Sequence, residues 1–345
     1  MDVVFLSPLG NWVEWVVKSI VLIAALLVGF AYLTYTERKF LGRFQNRIGP
    51  NRAGPLGLLQ PVADGLKLIF KEEVIPAQAD KLIFILAPVI TAVPAWITLG
   101  VLPLGGVVQI LGREVSLSIA GDIDVGVLFI TSVTSISVYG IMLAGWSSNN
   151  KYATMGGIRS SAQMISYELA LGLAFVGPIL MANSMSLNQI VIAQGRMGWF
   201  AFYQPIGFVI FFITALAEIN RPPFDMPEAE QELSAGYHIE YSGMKFALFM
   251  LTEYTKMIVI SCIAATLFLG GYRGPFVDQM PWLGPIYLSL KITVLLFVII
   301  WVRATLPRLR YDKLMSLGWK ILLPVALFNV FLTAVIIVLF PGKFH

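Results

Sequence analysis

The chain has 345 residues, 57% of them hydrophobic and only 13% charged, and its mean hydropathy is +0.79. Soluble domains carry about 25% charged residues, so a soluble globular enzyme and a disordered protein are both excluded. One cysteine, Cys262, and two histidines, His238 and His345, leave no disulfide framework, no four-cysteine cluster held by this chain alone and no bis-histidine haem. A helix needs about 20 apolar residues to cross about 30 Å of hydrocarbon, and eight segments satisfy this. The first, 13–34, follows Asp2 with no basic leader and is too long for a signal-peptide core, so it is expected as an uncleaved span. Residues 36–60 (TERKFLGRFQNRIGPNRAGPLGLLQ) are rich in Gly, Pro and Arg and are expected as a folded-back loop, not a helix. From Pro61 to Lys71, Val62, Leu66, Ile69 and Phe70 oppose Asp64, Lys67 and Lys71, the pattern of a helix lying in the membrane interface. A second span is expected at 82–103 and a small hairpin around Gly112 at 107–119, followed by spans at 123–146, 161–182, 199–219, 244–270, 285–305 and 319–340.

Loop charge sets orientation. Arg38, Lys39, Arg43, Arg47, Arg52, Lys67, Lys71 and Lys81 lie between the first two spans. Lys151, Arg159, Arg221, Lys245, Arg303, Arg308, Arg310, Lys313 and Lys320 lie in the other odd-numbered loops. Seventeen cations thus share one side and six the other, with Lys256 inside a span. The expected fold is an all-α integral membrane protein. Its eight transmembrane helices leave both termini outside, on the periplasmic side, and an interfacial amphipathic helix sits in the first cytoplasmic loop. Residues 1–345 form one polytopic domain, with a basic loop at 36–80 and an acidic cytoplasmic loop at 218–243. There is no strong internal repeat of the kind that marks many transporters.

Intramembrane acids are costly and mark function by default. Glu168 and Glu253 each lie eight residues inside a span, and Glu218 closes the fifth span near the same face. The next loop adds Asp225, Glu228, Glu230, Glu232 and Glu240. In a helix starting near Pro227, Asp225, Glu228 and Glu232 share a face and Glu230 points elsewhere. Crowding and dehydration raise the pKa of such loop carboxylates and favour proton uptake near neutral pH. Bland readings compete. Asp225 and Glu228 suit a helix cap and first turn, Glu253 suits an i,i+3 pair with Lys256, and Glu14 with Lys18 suits a surface pair. Asp122 and Asp124 suit a helix start, and His238, in a polar loop, suits a solvated or hydrogen-bonded residue better than a ligand. Trp12, Trp15, Trp146, Trp199, Trp282 and Trp319 fit interfacial belts. Basic loops beside a span set topology and touch headgroups, yet facing basic and acidic surfaces of this size suit a docked soluble partner. No nucleotide or metal motif is present.

Two long segments then carry a family resemblance. AEINRPPFDMPEAEQELSAGYHIEYSGMKFALFMLTEY (Ala217 to Tyr254) and TERKFLGRFQNRIGPNRAGPLGLLQPVADGLKLIFKEEVIP (Thr36 to Pro76) resemble the signatures of the H-type membrane subunit of the proton-translocating NADH:quinone oxidoreductase, respiratory complex I. The mitochondrial counterpart is NADH dehydrogenase subunit 1. SAQMISYELALGL (Ser161 to Leu173) and WVRATLPRLRYDKLMSLGWK (Trp301 to Lys320) match as well.

The resemblance implies an eight-span subunit of the bacterial inner membrane, or of the mitochondrial inner membrane, supplying the membrane side of a quinone chamber. Access to that chamber lies near the first span, the interfacial helix and the sixth span. Arg38, Arg43, Arg47, Arg52, Arg221, Phe224 and Asp225 match its quinone-side positions. Glu168, Glu218, Glu228, Glu230, Glu232 and Glu253 match a channel of acids that couples quinone reduction to proton translocation, with Asp124, Glu240 and Tyr241 as outlying members. The implied substrate is a quinone such as ubiquinone, with FMN and iron–sulfur clusters in partner subunits. The implied partners are hydrophilic quinone-module subunits carrying the terminal cluster, small membrane subunits, antiporter-like subunits and membrane lipids, with no nucleic acid. The alternatives are the homologous membrane subunit of a nickel–iron hydrogenase-type complex, a stand-alone ion transporter, and a structural anchor.

Overall fold

The computed structural model describes residues 8–110, 113–120, 123–225, 236–277 and 279–340. Among the described residues, eleven helices follow one another: α1 Pro8–Phe44, α2 Gln60–Ile69, α3 Lys81–Val101, α4 Gly126–Ser147, α5 Lys151–Ala182, α6 Leu187–Met197, α7 Phe200–Tyr203, α8 Pro205–Glu218, α9 Gly243–Phe268, α10 Leu283–Thr305 and α11 Tyr311–Leu339. The last of these turns π-helical at Leu317–Leu322, just before Pro324. Between α3 and α4, strands β1 Val107–Ile110 and β2 Arg113–Ser116 pair antiparallel, as the alternation around Gly112 predicts.

Among the described residues, seven helices are long and apolar enough to cross a membrane. The fifth expected span, 199–219, is represented by α8, whose 14 residues reach only about 21 Å. Gly198, at φ 100°, ends α6 just before this segment, and a continuous helix over 199–219 is interrupted at Gln204 and Pro205, the proline having no N–H to extend the preceding turn. In the same region α6 is an element the hydropathy reading assigned to a loop.

Two helices run further than expected. The 37 residues of α1 span about 55 Å, so residues 36–44 are helical and not part of the folded-back loop. TERKFLGRF holds a single glycine and no proline, and the turn comes at Asn46, in the left-handed region at φ 54°. The loop beyond it does fold back: Lys39 Nζ donates to the carbonyls of Pro50 (2.8 Å) and Leu56 (3.0 Å), and Tyr35 donates to Leu56 O (2.8 Å). Helix α5 begins at Lys151 instead of 161 because Asn150 Oδ1 accepts from Tyr152 N at 3.0 Å and caps it.

Helix α2 has the expected amphipathic form. Val62, Leu66, Ile69 and the following Phe70 are exposed, and the helix buries none of its residues.

Alternating helices place α1, α4, α8 and α10 C-termini with α3, α5, α9 and α11 N-termini at one end. That end carries the basic loops and is stitched between loops. Asp80 N donates to Ser147 O (3.1 Å) and Leu309 N to Pro223 O (3.0 Å), while Tyr241 Oη donates to Phe84 O (3.2 Å) and Tyr167 Oη to Leu314 O (2.8 Å). The opposite end has its own ties, including Val127 N to Met185 O (3.1 Å) and Gln204 Nε2 to Thr333 Oγ1 (3.0 Å). The core between α5, α8 and α9 is filled by Tyr167, Phe175, Phe211, Met257 and Phe268. Small residues bring backbones together: a Cβ on Gly140 of α4 would stand 2.7 Å from Thr91 N of α3.

Candidate functional site

At the basic end, three elements converge on Arg221. It follows α8 directly, and the turn that carries it is fixed by Gln163 of α5, whose Nε2 donates to Ala217 O (2.9 Å), Asn220 Oδ1 (3.2 Å) and Phe224 O (2.7 Å). The Arg221 guanidinium is buried. It donates to Glu37 of α1 at 3.0 Å, pairs with Glu253 of α9 at 2.6 Å, and lies 4.5 Å over the ring of Tyr254. Arg303 of α10 pairs with the same Glu37 carboxylate. Among the described residues, Glu37, Glu253, Arg221 and Arg303 thus form an ion-pair network joining α1, α9, α10 and the segment after α8. The salt bridge of Glu253 runs to Arg221, on a different element, and not to the local Lys256.

About one turn further along α9, a second polar cluster begins. Lys256 Nζ donates to Ser137 Oγ of α4 at 2.8 Å and is in electrostatic contact with Glu218, Glu168 and Glu253. Ser135 donates to the Glu168 carboxylate. Glu218 is buried, and its Oε2 has no hydrogen-bond partner among the described residues. The three acids of the spans, Glu168, Glu218 and Glu253, are therefore gathered around one side of α9.

Between α1, α2 and α9 opens a cavity of about 440 Å³. Its body is apolar, with Leu27, Phe30, Leu251 and Met250, and its rim holds Arg38, Asp64 and Lys67. Arg38 and Asp64 pair across it at 2.6 Å. Tyr254 lines the cavity from α9 and is the same ring that lies under Arg221.

The remaining expected residues are dispersed. Arg43 in the last turn of α1 and Arg47 and Arg52 on the loop after it are exposed and do not meet the Arg221 network. Phe224 is buried against the ring of Tyr167, with centroids 5.6 Å apart, and Asp225 is partly buried beside it in sequence. Glu228, Glu230 and Glu232 lie outside the described residues. Asp124 is exposed just before α4, at the opposite end from the cluster, which fits a helix start better than a channel member. Glu240 accepts from Asn150 Nδ2 at 2.6 Å, and Tyr241 stacks on Phe84 at 4.0 Å, so both tie the acidic loop to neighbouring helices. Burial pushes the Tyr241 hydroxyl up to about 12.

Of the two readings of His238, the solvated one does not hold. The imidazole sits between the rings of Tyr237 and Phe246, and burial lowers its pKa to about 4, so it is neutral at pH 7. Glu37 escaped the hydropathy reading because it stands in a basic stretch. The signal was its spacing from Leu26 and Leu33, which continues the buried face of α1.

Residues 17–334 match the NADH dehydrogenase family. The chain belongs to this family. It is 49% identical over 341 residues to the first of the H-type NADH-quinone oxidoreductase subunits of Geobacter sulfurreducens, covering 96% of this chain and 97% of that one. It is 48% identical over 338 residues to the H-type subunit of the same oxidoreductase from Thermomicrobium roseum, covering 94% and 97%. The corresponding chain of Deinococcus deserti is 51% identical over 332 residues, 95% of this chain and 84% of that one. The resemblance carried by the two long motifs therefore extends over nearly the whole chain, and the chain is an integral membrane member of an oxidoreductase family.

Proposed function

We propose that the chain is the subunit of an NADH:quinone oxidoreductase that supplies the membrane-side wall of the quinone chamber and the acid path leading from it. The observation that carries this reading is Tyr254, which walls the apolar cavity between α1, α2 and α9 and lies under Arg221, itself paired with Glu253. A long apolar tail fits the body of that cavity, and a polar head meets Arg38, Asp64 and Lys67 at its rim. Arg221, with Phe224 and Asp225 on the same turn, positions the inner end. Arg43, Arg47 and Arg52 are exposed and suit docking of the hydrophilic subunit that brings the terminal iron–sulfur cluster. FMN and the clusters belong to such partners.

Quinone reduction requires protons at the chamber. Glu253, Glu218 and Glu168, continued by Glu228, Glu230 and Glu232 of the loop, are the groups that would answer that change of charge and pass it toward antiporter-like neighbours. By the positive-inside bias, the basic end faces the cytoplasm or matrix. The cavity and the names of the relatives favour this reading over a hydrogenase-type subunit, which has no need of a quinone chamber.

The test fills the cavity. In the assembled enzyme, checked on native gels, Ala247→Trp is expected to raise the KM for a long-tailed quinone at least tenfold; an unchanged KM contradicts the assignment. Glu168→Gln and Glu253→Gln are expected to abolish pumping, and unchanged pumping and quinone reduction in both would remove those acids from the path.

A further inference from the structure

Two small cavities flank α9 beneath the Arg221 network, each of about 30 Å³, enough for one or two water molecules. The first is lined by Asn220, Tyr237, His238, Thr252 and Glu253, on the side of the acidic loop. The second is lined by Thr134, Ser137, Leu171, Glu218 and Ile260, deeper among α4, α5 and α8. Among the described residues, Lys256 is the one that lines both. Glu218, whose Oε2 is buried without a hydrogen-bond partner among the described residues, lines the deeper space, and a buried polar atom of that kind calls for water. Among the described residues, the charged and titratable groups around the amine are Glu253 on its own helix, Tyr237 and His238 from the 3₁₀ turn Gly236–His238, Glu218 of α8 and Glu168 of α5. His238 is neutral at pH 7, which leaves the carboxylates as the exchange partners.

We propose that Lys256 is a proton-carrying member of the path and the link between its two halves. In the forward step an N–H bond of the ammonium breaks and an O–H bond forms on the Glu218 carboxylate, directly or through water, leaving a neutral amine and a carboxylic acid. In the second step the amine takes the proton of a protonated Glu253 and returns that group to carboxylate. One proton has then crossed from one cavity to the other, and no other reactant is consumed. The bland rival makes Lys256 a fixed counter-charge that holds Ser137 and neutralises the acids. The inference rests on the acid-path reading above.

Arginine separates the two roles, because it keeps a positive charge but does not deprotonate in proteins. In enzyme reconstituted into liposomes, with assembly checked on native gels, Lys256→Met and Lys256→Arg are each expected to lower quinone reduction and its linked proton pumping at least tenfold. Lys256→His is expected to restore part of the rate, with its optimum moved to lower pH, since an ordinary imidazole titrates near 6.5 and an ordinary lysine near 10.4. A wild-type rate in Lys256→Arg, or a Lys256→His pH profile that superimposes on wild type, overturns the proposal. If Lys256→Met pumps normally while Glu253→Gln does not, the lysine relay falls and the acid path stands. If both pump normally, the acid path itself falls.

Discussion

Replacing Glu37 by glutamine isolates what holds the Arg221 network together. The Glu37 carboxylate is 2% exposed and serves both Arg221 and Arg303. Glutamine keeps the shape and one acceptor oxygen but removes the charge. Arg221 then keeps its pair with Glu253, while Arg303 loses the carboxylate it pairs with. Breaking a buried pair by removing one partner costs about 3–5 kcal/mol, because the remaining charge is stranded. The lower figure applies here, since Arg221 retains Glu253 and Arg303 is partly exposed. A loss of about 3 kcal/mol is roughly a hundredfold in an opening equilibrium.

Hydrogen exchange in the detergent-solubilised complex reads this directly. Amides around 219–221 and 302–306 are expected to exchange about a hundredfold faster in Glu37→Gln. Adding Arg303→Met removes the stranded cation, and replacing a buried pair by apolar groups is often neutral, so the double variant is expected to recover to within about tenfold of wild type. Exchange within threefold of wild type in the single variant, or no recovery in the double, refutes the ion-pair argument.

Two further outcomes concern the frame around the network. Gln163→Leu removes the donor shared by Ala217 O, Asn220 and Phe224 O; it is expected to cost about 2–4 kcal/mol and to lower the thermal unfolding midpoint of the subunit, and an unmoved midpoint contradicts it. His238 is held near pKa 4 by burial, against about 6.5 when exposed, so the opened loop binds more protons between those values. Stability of the turn at 236–238 is therefore full above pH 6.5 and falls as pH drops toward 4, by at most about 3 kcal/mol. Exchange at these amides, corrected for intrinsic rate, is expected to be faster at pH 5 than at pH 7 in wild type but not in His238→Phe.

What the sequence discloses is mostly what its local chemistry decides. The hairpin at 107–116, the amphipathic face of α2 and the gathering of Glu168, Glu218 and Glu253 near one level all follow from periodicity and span counting. The fifth span misleads because hydropathy averages over Pro205, while the backbone breaks there. Pairing is the least legible level. Lys256 is the nearest cation to Glu253 along the helix, yet Arg221 takes the salt bridge because Gln163 fixes its turn against α5. Glu37 is hidden by its neighbours Arg38 and Lys39, whose side chains turn to Asp64 and to the loop carbonyls while Glu37 turns inward.

The two clusters are joined through α9. Glu253 and Lys256 stand three residues apart on one helix, a spacing that puts their side chains roughly 5–6 Å apart at Cβ. At an effective dielectric of about 20, unit charges at that distance interact by about 3 kcal/mol. That energy is enough to change the charge state favoured at one site by about a hundredfold when the other changes. Tyr254 adds a mechanical route, since its ring touches both the cavity and the guanidinium that pairs with Glu253. An occupant of the cavity that displaces this ring weakens the hold of Arg221 on Glu253, and the change in that carboxylate is then felt at Lys256. On the proposed reading, the residues from 253 to 256 thus connect an occupant of the cavity to the acids inside the bundle, with no need for a long-range change of fold.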